Sequence, residues 1–197
     1  MGPRRTLVLP LAAALLLAAL PRLSAAPKET EVTKLDRWTY KALHHGVQVL
    51  VSVRLLSVKH REYKYLPLQF SVTNYSKHTV KVDLANIQLT DEAGNVYPVA
   101  PPAEVRAEHD LQRYDRERAR AFRFEELDPT PARQIESRFY PVEGEVVDPN
   151  IEILEGERIV DFLYFKDELK RAPRSFTLKI EGLVDAPALV IPMELPD

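Results

Sequence analysis

Apolar residues recur at every second position in several separate runs of this chain. Val47, Val49, Val51, Val53 and Leu55 alternate with Gln48, Leu50, Ser52 and Arg54. Period two with β-branched residues on one face predicts a half-buried strand. Leu66, Leu68, Phe70 and Val72 repeat the pattern, with Pro67, Gln69, Ser71 and Thr73 opposite. Proline cannot donate to a ladder, so this strand starts near Pro67 or has an open edge there. Val80, Val82 and Leu84 alternate again, and then Ile87 and Leu89 shift to odd positions. A one-residue change of phase predicts a bulge, or a strand that bends from one sheet into another, around Ala85 and Asn86. Residues 91–95 read as a turn, with Gly94 and Asn95 able to take positive φ, and 96–99 as the returning strand. Further strands are predicted at 151–154, at 158–165 (apolar on both faces, hence central), over Phe176, Leu178 and Ile180, and at 189–191 before Pro192. Seven or eight strands with no helix regularly between them predict an antiparallel all-β sandwich. Phe70, Val72, Val82, Phe162 and Phe176 are expected to share its core.

Two stretches interrupt this rhythm. Asn74-Tyr75-Ser76-Lys77-His78 forms a polar knot between two alternating runs. Asn74 can bond its own backbone two residues on, and Ser76 more weakly, which would reverse the chain there. Asn-Tyr-Ser is also a glycosylation sequon, without meaning in a bacterial host. Residues 101–149 read as an insertion. Over 101–123 there is no alternation; Pro102 suits a first helical turn and Glu104 the helix N-terminus. Ala107, Leu111, Tyr114, Arg118, Ala121 and Phe122 fall on one helical face, which predicts a surface helix held by Leu111, Tyr114 and Phe122. Six Arg face seven Asp and Glu from 104 to 126, and pairs such as Asp115–Arg118 and Glu117–Arg120 are spaced to meet across a turn. Beyond the helix, Phe122, Phe124, Phe139 and Tyr140 lie among Arg123, Arg133 and Arg138. These aromatics either close one end of the core or form an exposed aromatic–arginine patch of the kind enriched at protein interfaces. The candidate partner-binding residues are therefore Phe122, Arg123, Phe124, Arg138, Phe139 and Tyr140.

The first 26 residues fall outside the domain. Arg4 and Arg5 precede the apolar run from Leu7 to Leu20, and Ser24 and Ala26 supply a small-x-small cleavage site. That is the pattern of a secretory signal peptide, and its apolar run is shorter than the roughly 20 residues that span a bilayer. A retained N-terminal anchor is the alternative. Cleavage after Ala26 removes three Arg and no acid, leaving 24 of 27 basic residues against 29 acidic ones, a net charge of about −5. That mild acidity argues against a nucleic-acid partner, which calls for a basic face. The chain has no cysteine, which excludes disulfides, thiolate chemistry and a lipidated N-terminal cysteine. An exported domain held by its core alone points to a bacterial envelope, periplasmic or extracellular. The expected layout is a signal peptide at 1–26, a polar leader at 27–37 and one domain at 38–197.

Phe70, Val72, Asn74, Leu89, Asp91, Gly94, Tyr97, Leu154, Gly156, Glu157 and Phe165 also form a spaced set. It resembles a class of exported bacterial immunoglobulin-like domains related in fold to a secreted mycobacterial immunoprotective antigen. The resemblance covers about 46–99 and 150–184, and departs from the class at Glu155, where Pro is common, and over 101–149. It implies an immunoglobulin-like antiparallel β-sandwich of about seven or eight strands, here with one inserted surface helix. Because its residues are turn and core residues, it speaks to fold rather than to function.

Candidate chemistry is sparse. His44 and His45 are adjacent, so on a strand they point to opposite faces unless Gly46 turns the chain. His60, His78 and His109 are scattered, and a zinc site needs three or four converging ligands. Residues 148–152 lack the glycine and the ligand count of a calcium loop. There is no Gly-x-Ser-x-Gly, no His-Glu-x-x-His and no phosphate-cradling glycine loop. The paired Glu125 and Glu126 beside Asp128 read as surface carboxylates. The reading is a non-catalytic, cofactor-free module that binds another protein, such as one of the envelope, or an envelope component. A structural accessory domain of an envelope assembly is the alternative, followed by a small metal-binding protein or hydrolase.

Overall fold

The alternating runs become strands, and short elements with no clear alternation fill the gaps between them. A computed structural model describes residues 30–57, 64–109, 112–120, 124–141, 147–166 and 173–196, with the side chains of 118–120 and 125 outside the description. The chain starts with β1 (Glu31–Lys34), β2 (Thr39–His44), β3 (Val47–Ser52) and a single helical turn, α1 (Arg54–Ser57). It continues through β4 (Tyr65–Asn74), β5 (Val80–Asp83), β6 (Ile87–Asp91) and β7 (Val96–Pro98). Then come α2 (Pro102–Glu108), α3 (Gln112–Arg120), α4 (Phe124–Leu127) and β8 (Arg133–Gln134). The chain closes with β9 (Asn150–Ile153), β10 (Glu157–Lys166), β11 (Ser175–Ile180) and β12 (Leu189–Glu194).

The protein is mostly β. One sheet has the order β1-β2-β3-β4-β10-β8, a second β12-β11-β6-β7, and β5 pairs with β9 alone. All pairings between named strands are antiparallel except the two-residue contact of β8 with β10. Phe70, Val72, Val82, Phe162 and Phe176 belong to one apolar cluster that draws on all three sheets.

The predicted change of phase is where the chain changes sheet. A 3-10 turn at Leu84–Asn86, capped by the Asp83 carboxylate on the Ala85 N–H at 2.9 Å, separates β5 from β6. β5 belongs with β9 and β6 with β11. Pro67 lies inside β4, yet β3 stops pairing at Ser52 opposite Gln69. Beyond that point one side of β4 lacks a ladder partner from β3, which is the edge a proline tolerates. Pro192 is likewise accommodated, because β12 is an edge strand; β12 runs past it to Glu194.

Three elements differ from the sequence expectation. The leader is not bare, since β1 forms within it as an edge strand mostly open to solvent, with only Val32 packed on the core. β2 forms a hairpin with β3 through His45 and Gly46, at φ 49° and 80°. Two successive positive φ angles match the twist that two-residue hairpins require. The single inserted helix is three short ones, and twelve strands stand among the described residues where seven or eight were expected.

β4 is buried along its whole length, so the six-stranded sheet is covered on both faces. Leu66, Leu68, Phe70 and Val72 share one face with Ile159, Asp161, Leu163 and Phe165 of β10. Tyr65, Gln69, Ser71 and Thr73 share the other with Arg158, Phe162 and Tyr164. The insertion meets that second face through His109 and Asp128 and reaches the first at Phe70 and Asp161 through Phe139 and Ser137. Among the described residues, no helix is long and apolar enough to cross a membrane.

Candidate functional site: the docked insertion and the cleft beside the polar knot

The insertion docks by polar contacts at both of its ends. Val105 of α2 is fully buried. Glu104 and Glu108 reach the hydroxyl of Tyr65 at 3.0 Å each, and they pair with Lys166 and Lys64. Hydrogen bonds from those lysines hold both carboxyls below their ordinary range. Burial, followed by these same carboxylates, pushes the Tyr65 phenol up. The His109 ring lies between Tyr65 and Tyr164, and its Nε2 meets Asp115 Oδ2 of α3 at 2.8 Å in a buried contact. Further on, Asp128 accepts from Gln48 of β3, lies 3.9 Å from Lys41 of β2, and accepts from the Thr130 hydroxyl at 2.7 Å. Residues 133–140 then run beside β10: the Arg133 N–H donates to the Gly156 carbonyl and the Ile135 N–H to that of Arg158.

The candidate partner-binding residues separate into three groups. Phe124, Phe139 and Tyr140 are buried. Phe139 stacks on Phe70 at 6.0 Å; Tyr140 meets Tyr164 edge-on at 4.9 Å and donates its hydroxyl to the Ala100 carbonyl at 2.7 Å. These aromatics took the core fate, so they form no exposed aromatic–arginine patch. Arg138 is exposed and pairs with Glu136 at 3.1 Å. Phe122 and Arg123 lie outside the described residues. The helical stripe also differs: Tyr114 is 45% exposed, while Gln112 and Asp115 are buried and Leu111 lies outside the described residues. A hydrophobic pattern could not find that docking face, because two of its buried members are polar. Asp115 pairs with His109; the side chain of Arg118 lies outside the description.

Asp161 of β10 is another buried acid of this region. Burial pushes its carboxyl up, and the Ser137 hydroxyl, Arg116 at 3.7 Å and the Phe162 N–H at 2.8 Å pull it back only in part. A carboxyl raised in the folded chain holds its proton more tightly there than in the unfolded one. Its ionised form therefore subtracts stability above the raised value, and the loss fades as pH falls through that value toward roughly 3.9. Asp161→Asn is expected to melt at or above wild type at pH 7, with the advantage vanishing toward pH 4. Thermal melts across that range check this. A variant melting well below wild type at pH 7 would instead make the Arg116 pair dominant.

A cleft of about 570 Å³ opens at the end of the molecule that carries the polar knot. One wall is His45 of the β2–β3 turn with Ser76, His78 and Thr79 of the knot and Lys81 of β5; the other is the loop from Gly182 to Ala186 between β11 and β12. The knot is fixed by Asn74, which is fully buried. Its Nδ2 donates to the carbonyls of His78 at 2.7 Å and Ile153 at 2.8 Å. Its Oδ1 accepts from the Ser76 N–H at 2.8 Å and the Ser76 hydroxyl at 2.7 Å. Both amide hydrogens are spent, so the Asn-Tyr-Ser sequon offers no free acceptor for a glycan in the folded chain. The Ser76 hydroxyl donates to an amide oxygen and not to an imidazole, so it is no activated nucleophile.

His44 is buried and His45 exposed, yet their rings meet edge-on at 4.6 Å, because His45 lies in the turn at φ 49° and not on the strand. His44 accepts from or donates to the Thr30 hydroxyl at 2.9 Å, and burial, then the neighbouring His45, lower its pKa. Among the described residues, no three His, Asp or Glu side chains converge as metal ligands. The cleft is thus a groove lined by both polar and apolar residues. Its walls come from three distant segments, so no sequence signal marks it.

No known protein family matches the chain, and no curated protein matches it in sequence. Among solved structures, the YjhA protein of Bacillus subtilis aligns with a TM-score of 0.39 at 11% identity, covering 83% of this chain and 96% of that one. A likeness that loose assigns neither fold nor function.

Proposed function

We propose that this chain is an exported, non-catalytic binding module of a bacterial cell envelope, built as an immunoglobulin-like β-sandwich. Strand order supports the architecture. Taking β3, β4, β6, β7, β8, β10, β11 and β12 as A, B, C, C′, D, E, F and G gives A-B-E-D facing G-F-C-C′. The parallel β8–β10 contact and the added β1–β2 edge depart from that scheme. The observation that carries the function is the cleft at the loop end, where turns from both sheets surround a groove of about 570 Å³. Loops held by a rigid sheet scaffold are where binding is most often placed. With Phe124, Phe139 and Tyr140 in the core, the partner surface belongs to this cleft and not to the insertion's aromatics.

The experiment is cross-linked capture from the native envelope with the full chain and a His78→Ala/Lys81→Ala variant. The exported protein is expected to begin at Pro27, and the variant to lose at least about tenfold in capture, the worth of roughly 1.4 kcal/mol at a binding centre. Its melting temperature should stay within a degree or two of wild type, because both side chains lie at the surface. Material that keeps Met1, or a variant that captures equally, would overturn this reading. Absence of any partner would favour the structural accessory role.

A further inference from the structure

The second face of the six-stranded sheet holds a cation, Arg158, with no ion pair among the described residues. Arg158 of β10 is only 6% exposed, and its Nε and Nη1 are buried without a hydrogen-bond partner. Its neighbours are committed elsewhere. Glu157 pairs with Arg133 and accepts from the Leu154 N–H at 2.9 Å. Asp128 serves Gln48, Thr130 and Lys41. The register sets Arg158 opposite Thr73 on β4 and Gln134 on β8. Ser71, two residues along β4 on the same face, has a fully buried hydroxyl that also lacks a partner. A diagonal neighbour on an adjacent strand is within reach of a long side chain.

A guanidinium stays protonated at any working pH, so burial cannot be relieved by losing its proton. An unpaired buried ion is costly, and an anion that accepts from it removes the cost. We infer that Arg158 and Ser71 form a subsite for an oxyanion, a carboxylate or phosphate group, entering from the β8 edge, where the two-residue strand leaves Gln134 exposed. Arg158 and Ser71 are absent from the walls of the cleft, so this subsite stands apart from the function proposed above.

The test is a thermal-shift and calorimetric titration of the full chain with potassium phosphate and with potassium acetate, each against potassium chloride at equal ionic strength. At least one anion is expected to raise the melting temperature saturably above the chloride control. Phosphate alone assigns a phosphorylated ligand, and acetate alone a carboxylate. Arg158→Met should abolish the rise and, without anion, melt at or above wild type, since it removes an unpaired buried charge. Ser71→Ala should weaken anion binding about fivefold, the worth of one ordinary hydrogen bond. If Arg158→Met does not fold, the Nε–H resonance of Arg158 in the wild-type chain gives the same answer, shifting saturably with the anion. No excess over chloride, an excess retained in Arg158→Met, or an unmoved resonance would overturn the site.

Discussion

Phe70→Ala is expected to remove about 3–5 kcal/mol of folding stability, the usual cost of deleting a fully buried phenyl ring. Phe70 has no exposed surface and stands at the centre of β4, between Val51 of β3 and Asp161 of β10. Its ring stacks on Phe139 at 6.0 Å with 17° between planes, so truncation also frees the residue that anchors the insertion to the core. The neighbours are backbone-paired on both sides and cannot collapse into the space, which places the loss toward the upper end of the range. For a domain of this size the melting temperature should fall by on the order of 10 °C. Urea melts monitored by circular dichroism measure it directly. A variant melting within two degrees of wild type would mean that Phe70 does not sit in this core.

Asn74→Ala should cost about 2–4 kcal/mol, because four hydrogen bonds, each worth roughly 1 kcal/mol net, end on one buried amide. Two carbonyls, those of His78 and Ile153, would be left without their donors. Asn74→Asp separates geometry from bonding. It keeps the shape and the acceptor toward Ser76, but sets an oxygen against both carbonyls, so it should be at least as damaging as Ala at pH 7. Denaturant melts give the magnitudes, and hydrogen exchange at the Ser76 N–H reports the local opening. An aspartate variant as stable as wild type would exclude the donor role of Nδ2.

Sheet-forming residues were legible where apolar side chains recur at period two, as in Val47 to Val51, Leu66 to Val72 and Phe176 to Ile180, although only the last of these strands is buried at alternate positions and the first two are covered on both faces. The Leu-x-Asp-x-x-Gly-x-x-Tyr spacing was legible too, and its physics is local. Asp91 accepts from the Ala93 and Asn95 N–H groups, the Asn95 amide and the Tyr97 hydroxyl, all near 2.9 Å. Burial works to raise its carboxyl, and those four bonds outweigh it and hold the group low. What stayed hidden was polar or distant. β1 buries only part of one side chain, so its four residues carry no alternation. The insertion docks through His109, Asp115 and Asp128, which a hydrophobic pattern reads as surface. Neither the walls of the cleft nor the placing of Arg158 and Ser71 on one face of neighbouring strands follows from spacing, since each depends on strand register between distant segments.

The bond between Thr30 and His44 fixes where the chain enters the domain. It holds the first described residue against the last residue of β2, one position from His45 on the wall of the cleft. Only residues 21–30 separate this point from Leu20, the end of the apolar run, and ten residues extend at most about 36 Å. If the proposed signal peptide stayed uncut in a bilayer, it would hold the cleft within about that distance of the lipid headgroups, which restricts the approach of a large partner. Removal of the leader would turn the same groove toward open solvent. On the proposed function, signal processing would then widen access to the groove, and an uncleavable Ala26 variant is expected to fold and to capture its partner less well than the processed chain.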